Sequence, residues 1–506
     1  MPLSRRDLVR TATVTAAATV ASPLLAESAA AATSTTWVVP LLERATYGAT
    51  PTTIAQAKAL KTPQAWLEQQ LAPTRLPDPE GDTVRRLFPE MGWAIPTARA
   101  AGEFNWDGMQ ALGQGTVALA AWSRRQLLEV MVEFWSNHLN VTNPSDRVWD
   151  SRMSYDKTVI RQFALGRFSD LLLASATHPA MLSYLNQADS TKEQPNENYG
   201  RELLELHTVG VGAGYSEAEV KSSARILTGW TVGDNGLATY RPDDHWTGPV
   251  SVLGFRHANS SADGRAVATA YLRYLATHPK TAQRIARKLA IRFVSDTPPQ
   301  ALVDALAKTY LASGTDIRPV LRRLLLGAEW KTGRKFKTPY EDVISTVRVL
   351  GVTLLPATKT VQQRRQGVEP LYWMLDRLRH LPLAWGPPNG YPDVAAAWQA
   401  ADVTLGRWNA HQGIAAAWWP NRDRLTIPAS RSLLPAKLPT TYGGLVDALC
   451  DRLLFRRLDT ASRNAVLMFC GAGPNTRLDP RSEWLGWRLH YLVALLLDTP
   501  IFAERS

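Results

Sequence analysis

Apolar residues recur three or four positions apart along almost the whole of this chain, and the every-second-residue pattern of a half-buried strand is nearly absent. Segments 52–72, 115–140, 155–174, 198–209, 216–229, 265–276, 279–294, 299–312, 317–328, 339–353, 400–417, 442–456, 460–470 and 482–496 all read as helices. Pro179 and Pro279, each after a histidine, suit the first turn of a helix. A short hairpin near 251–255 is the one β expectation. The expected fold class is therefore mainly α: a large multi-helix globular protein with little β structure. It divides into a helical half over 33–235, a loop over 236–264 and a second helical half over 265–506. Further loops are expected at 74–112, 186–197, 354–366 and 382–399.

The first residues set an expectation about location. Arg5-Arg6 precedes a mildly apolar, Ala/Thr/Val-rich run and then small residues to Ala32, which reads as a twin-arginine export signal over 1–32. The run is shorter than the roughly 20 residues of a membrane span. The mature chain is thus expected to begin near Thr33, to be secreted or associated with the cell envelope, and to have no membrane span. Cys450 and Cys470 are the only cysteines, compatible with one disulfide in an oxidising compartment or with two buried thiols. A formal net charge of +12 favours anionic surroundings. Dispersed basic residues and the absence of a binding module argue against nucleic acid. The 18 tryptophans suit either core packing or stacking on sugar rings.

Candidate chemistry concentrates in residues 195–230. Asn196 fits a helix start, and Ser216 with Glu219 forms the capping-box pattern of the next helix. At 100° per residue, Asn198, Glu202 and Glu205 fall within about 60° of one another. Arg201 is spaced to bridge Glu197 and Glu205. Two carboxylates one turn apart can split their titrations into an acid and a base, with Glu197, Glu133 or Asp243 as alternative partners. His138 emerges from an apolar helix and suits either a core role or a catalytic one. The catalytic candidates are accordingly Glu202, Glu205, His138, Asn198 and Arg201.

Two loops add candidate substrate-binding residues. His245 and Trp246 lie in the first, and Trp385 and Tyr391 surround the Pro/Gly core of the second, as an aromatic lip or a cap on helix ends. Glu197 completes the binding set. A mixed site of His138, Glu202, Glu205, His207 and His245 is conceivable for a metal, but no H-E-x-x-H or E-x-x-H spacing supports it. No cofactor is evident, since the Gly-rich nucleotide loops and the G-x-S-x-G elbow are missing. The stripe Lys280, Arg284, Arg287 suits a solvated face or an anion site.

Residues NENYGRELLELHTVGVGAGYSEAEVKSSARILTGW (196–230) closely resemble the signature of the DUF1800 family of bacterial proteins, whose function is unknown. Further similar stretches are LLERATYGATP (41–51), WLEQQLAP (66–73), MVEFWSNHLNV (131–141), IRQFALGRFSDLLLASATHPAMLSYL (160–185), HPKTAQRIARKLAIRFVSD (278–296), FKTPYEDVISTVRVLG (336–351) and PPNGYP (387–392). The chain departs from that pattern at Asn186-Gln187, at Asp243 to Gly248 and at Gly200, where the family usually has Ala. The resemblance implies a partner, because members are often encoded beside DUF1501 proteins, which look like exported sulfatases or phosphatases.

Three functions are compatible with these residues. The first is an exported hydrolase or lyase acting on a cell-envelope or extracellular polysaccharide through the Glu/Asn/Arg/His cluster. The second is a non-enzymatic envelope or glycan-binding protein partnering a sulfatase-like protein. The third is a metal-dependent oxidoreductase exported in folded form.

Overall fold

The computed structural model describes residues 35–329 and 333–505. The expected export signal over 1–32 lies outside the described residues. The described chain is mainly α. The helices that matter below are α1 (Val38–Ala45), α2 (Gln126–His138), α3 (Glu197–Glu202), α4 (Glu217–Leu227), α5 (Pro279–Phe293), α6 (Pro339–Val349), α7 (Ala401–Ala415) and α8 (Leu489–Leu497).

Strands occur only as two-stranded antiparallel pairs among the described residues. β1 (Trp230–Val232) pairs with β2 (Ala238–Tyr240), and β3 (Val250–Val252) with β4 (Phe255–His257). Segment 236–264 therefore carries β2, which closes the hairpin begun by β1, and the whole of a second hairpin. β5 (Lys335–Phe336) pairs with β8 (Glu504–Arg505), clasping the end of the chain to its middle, and β6 (Thr353–Leu354) pairs with β7 (Leu425–Thr426).

The expected helix bounds change where capping chemistry intervenes. Residues 52–72 split into Pro51–Ala59 and Pro63–Leu71, because Lys61 turns to φ +66° and the Thr62 side chain caps a new start. The stretch 74–112 holds helices Pro79–Leu87 and Ile95–Ala100 where a loop was expected. Both carry proline in the first turn, which punctuates the sequence like a loop while favouring a helix start.

One hydrophobic core runs from Val38 in α1 to Phe502 near the C-terminus, so both expected halves contribute to it. Arg44 is buried and donates to the carbonyls of Phe293 and Val294, tying α1 to the end of α5 across the expected boundary. Cys450 and Cys470 are free and buried. Among the described residues no helix is long and apolar enough to cross a membrane.

α5 explains much of the site. His278 caps it by accepting from the Lys280 amide, and Pro279 occupies the first turn. Ala282, Ile285, Ala286, Leu289, Ala290 and Phe293 form its buried face. A four-residue step advances about 40° around a helix. The cations Arg284, Lys288 and Arg292 therefore spiral from the flank toward the core, and Arg292 is only 3% exposed.

Candidate active site

A cleft of about 450 Å³ opens between α2, α5, the start of α6 and the loop 385–394. Glu133, Lys288, Arg292 and Asp393 supply its charged wall, with Trp385 and Tyr391 among its aromatic lining. On α2, Glu129, Glu133 and Asn137 follow one another at four-residue spacing, so they share one face. Glu129 is spent on Arg161, at 2.9 Å. Glu133 and Asn137 reach the cleft.

Glu133 accepts from the Tyr47 hydroxyl at 2.8 Å and pairs with Arg292 at 2.9 Å. Arg292 also pairs with Glu341 at 2.6 Å and stands 4.0 Å from Asp393. Glu341 is positioned by its own helix start, where it and Thr338 cap each other's backbone amides. Arg505 on β8 pairs with Glu341 and donates to the Arg292 carbonyl at 2.8 Å. Lys335 on β5 holds Asp393 at 2.9 Å and Asp296 at 2.7 Å. The terminal clasp thus delivers two cations to the site.

These surroundings push two cleft carboxylates apart. Burial raises Glu133, and although Arg292 opposes it and Glu341 reinforces it, the net result is a carboxyl at about 7. Asp393 is held well below the usual carboxylate range, because Lys335, Arg292 and Arg505 outweigh its burial. Glu341 is likewise held at about 2 by Arg292 and Arg505 against its burial. At neutral pH one cleft carboxyl keeps a proton for part of the time and the other is ionised.

The loop 385–394 is built as a rigid lip. The Tyr391 amide donates to the Asn137 side chain at 3.2 Å, and its hydroxyl donates to the Leu381 carbonyl at 2.8 Å. Asn140 donates to the carbonyls of Trp385 and Pro387, at 2.8 and 2.7 Å. His380 stacks on Trp398 and packs against Tyr391, with ring centroids 4.5 and 4.3 Å away. Burial drives its imidazole down to about 3, so it stays neutral.

The residues singled out from the sequence distribute unevenly over this geometry. Trp385 and Tyr391 line the cleft. His138 is buried behind it, its Nε2 3.0 Å from the His207 carbonyl and its Nδ1 3.1 Å from the Lys288 ammonium. Glu197, Asn198, Arg201, Glu202 and Glu205 lie outside the cleft. Arg201 pairs with Glu217 across to α4 and not with Glu197 or Glu205; Glu197 instead lies 3.9 Å from Lys221. Asn198 is exposed. Residues Leu203–His207 form a π-helical turn, which changes the angular step between Glu202 and Glu205, although the two stay in electrostatic reach of each other.

Glu202 is raised by its partial burial and then by Glu205. It remains in electrostatic reach of Tyr184, whose hydroxyl donates to the Gly386 carbonyl beside Trp385. His245 is a buried packing residue, engaged by the Thr228 carbonyl and by Asn259, each at 2.9 Å. Trp246 lies under the Arg225 guanidinium at 4.5 Å. Both belong to the hairpin region and neither lines the cleft. Among the described residues no group of three or more His, Cys, Asp or Glu is arranged to hold a metal ion.

The stretches quoted above for their family likeness come together here. Tyr47, Glu133, Asn137, Lys288, Arg292, Glu341 and Tyr391 each come from such a stretch, and each lines the cleft or binds a residue that does. The family profile described as a protein of unknown function matches residues 40–503. The chain belongs to the DUF1800 family. No curated protein and no solved structure matches it. For a DUF1800 chain the cleft is thus the place where sequence likeness and unusual electrostatics coincide. Lys288, Arg292, Asp393 and His380 were not singled out from sequence. Lys288 had a signal, since it continues the Lys280–Arg284 spacing by one more turn.

Proposed function

We propose that this protein is an exported hydrolase of an extracellular or cell-envelope polysaccharide and that the cleft is its active centre. The observation that carries the reading is the pair Glu133 and Asp393, two carboxylates in one cleft with proton affinities driven in opposite directions. One guanidinium, Arg292, reaches toward both, which suits the roughly 5 to 10 Å separation of glycosidase carboxylates. Glu133 donates its proton to the leaving glycosidic oxygen. Ionised Asp393 faces the positive charge that develops at the anomeric carbon. Water supplies the hydroxyl that ends on that carbon, and its remaining proton restores Glu133. Trp385 and Tyr391 offer ring faces to sugar.

Export by the twin-arginine route, resting on the N-terminal sequence, and a DUF1501-type sulfatase-like partner, resting on the family resemblance, complete the proposal. A second reading, glycan binding without cleavage, draws on Trp418, Trp419 and Trp487, which are exposed together with Tyr491 between two of them.

The test is digestion of an acidic and neutral polysaccharide panel by wild type, Glu133→Gln and Asp393→Asn, with folding checked by circular dichroism. Each variant is expected to lose roughly 100-fold or more in kcat. Wild-type activity is expected to decline above pH 7, as Glu133 loses its proton. Cleavage that survives both substitutions, or no cleavage of any glycan by wild type, would sink the hydrolase reading.

A further inference from the structure

Among the described residues no carboxylate comes within ion-pair distance of Lys288, and Asp393 acts on it only from farther off. The one hydrogen bond of Lys288 among the described residues is to His138 Nδ1 at 3.1 Å. That imidazole supplies a lone pair and no charge. Its Nε2–H is committed to the His207 carbonyl at 3.0 Å, and burial together with Lys288 and Arg284 holds the ring neutral. His207 is held neutral by the same causes.

Every neighbouring carboxylate is already taken. Glu133 and Glu341 face Arg292 at 2.9 and 2.6 Å, and Asp393 faces Lys335 at 2.9 Å. The flanking groups on α5 are themselves cations: Arg284 donates to the Leu206 carbonyl, and Arg292 closes the other side. Lys288 is half-buried, and an ammonium partly withdrawn from water among cations is costly unless a counter-charge arrives. Burial and then Arg284 lower it to about 7. Yet this ammonium borders the cleft, beside the aromatic lip.

We infer that Lys288 forms an anion subsite of the cleft, which receives an oxyanion carried by the sugar, either a uronate carboxylate or a sulfate ester. The polysaccharide substrate is therefore acidic. The glycan part of this inference rests on the hydrolase reading; the anion site does not. Lysine suits the role as a point charge that accepts both planar and tetrahedral oxyanions. The chain's net charge of +12 draws such polymers toward it.

The experiment is calorimetric titration of the full chain with glucuronate, glucose 6-sulfate, inorganic sulfate and uncharged glucose. Lys288→Met is expected to weaken the charged ligands by roughly thirtyfold or more and to leave glucose unchanged. Lys288→Arg, which keeps the charge, is expected to retain most of the affinity, whereas a role for Lys288 as a proton-accepting base would not survive it. Binding of charged ligands that is indifferent to Lys288→Met overturns the inference.

A Lys288-dependent inorganic sulfate signal with no binding of any sugar keeps the anion site and removes the glycan reading. Sugars that bind equally with or without charge do the reverse.

Should Lys288→Met fail to fold, proton linkage in otherwise intact protein decides. The groups facing Lys288 are Arg284 and Arg292 on its own helix, His138, His207 and Glu133 behind and beside it, and Asp393 from the lip. Of these only Glu133 also titrates near 7. In a Glu133→Gln background at pH 8.5, anion binding is expected to take up as much as about one proton, read from the dependence of heat on buffer ionisation. Anion binding that neither takes up a proton nor weakens as pH rises from 7 to 10 overturns the inference.

Discussion

Gly390 shows how closely the lip is fitted. Its φ is +70°, a region that costs a residue with a side chain roughly 1–2 kcal/mol. A Cβ there would also drive into the Asn137 carbonyl. Asn137 is the same residue that receives the Tyr391 amide. Gly390→Ala is therefore expected to cost roughly 1–3 kcal/mol, felt first in the loop. Amide exchange over 385–394 should accelerate well before the global unfolding temperature falls. Unchanged exchange in that loop would show that the lip tolerates a shift. At this scale the sequence was partly legible. Trp385 and Tyr391 stood out because aromatic rings around a Pro/Gly core mark a structured loop. Glu133 stood out only as an alternative partner for the Glu202 pair, and Arg292, Glu341, Asp393 and Arg505 did not, since the pairings join residues 133, 292, 341, 393 and 505, and no local pattern encodes contacts of that range.

The elements show why helix periodicity located the fold better than the site. α3 begins as expected, with the Asn196 side chain accepting from the Tyr199 amide, and α4 opens with the Ser216–Glu219 capping box. Between them the π turn at Leu203–His207 breaks the constant angular step on which the Glu202–Glu205 stripe depended. Gly200, where the family resemblance leads one to expect Ala, has a local reason. A Cβ would stand 2.8 Å from the Ala224 amide nitrogen and 3.0 Å from the Val220 carbonyl oxygen, both backbone atoms of α4. The two helices meet closely here, and the Ser223 hydroxyl donates to the Gly200 carbonyl at 3.1 Å. Gly200→Ala gains helix propensity of roughly 1 kcal/mol, but it must separate two packed backbones. The net expectation is destabilisation of roughly 1–2 kcal/mol, measured by denaturant midpoint. A stabilised variant would mean that α3 and α4 can move apart without loss.

At the scale of the whole molecule, four imidazoles lowered by burial lead the response of stability to acid. Buried His411 differs: its burial is outweighed by Asp342 and Asp498, which hold it up at about 9, so it stays charged below 6.5. Burial is the leading cause that lowers His138, His178, His207 and His380, the last three to about 3. Each has an ordinary value near 6.5 in the unfolded chain, so between those limits the unfolded state binds the proton and the native state does not. Stability from these groups is present above about 6.5 and is lost as pH falls. Glu341, held at about 2, extends the same loss below its ordinary 4.5. Glu133 acts oppositely: raised to about 7, it contributes stability at low pH that fades as pH climbs through 7. Glu129 and Glu202, raised chiefly by burial, act in the same sense as Glu133. Three of the imidazoles, however, fall from about 6.5 to about 3, and a tenfold difference in proton affinity between the folded and unfolded states is worth about 1.4 kcal/mol, so the imidazoles win. The unfolding free energy is expected to fall steadily from pH 6.5 to 4, ahead of most carboxylate titration. His380, packed against Tyr391 and Trp398, offers the check. His380→Gln removes one of the four titrating groups and should flatten the slope between pH 6.5 and 4, whatever it does to stability at pH 7. An unaltered slope would show that His380 does not carry its share of the acid response.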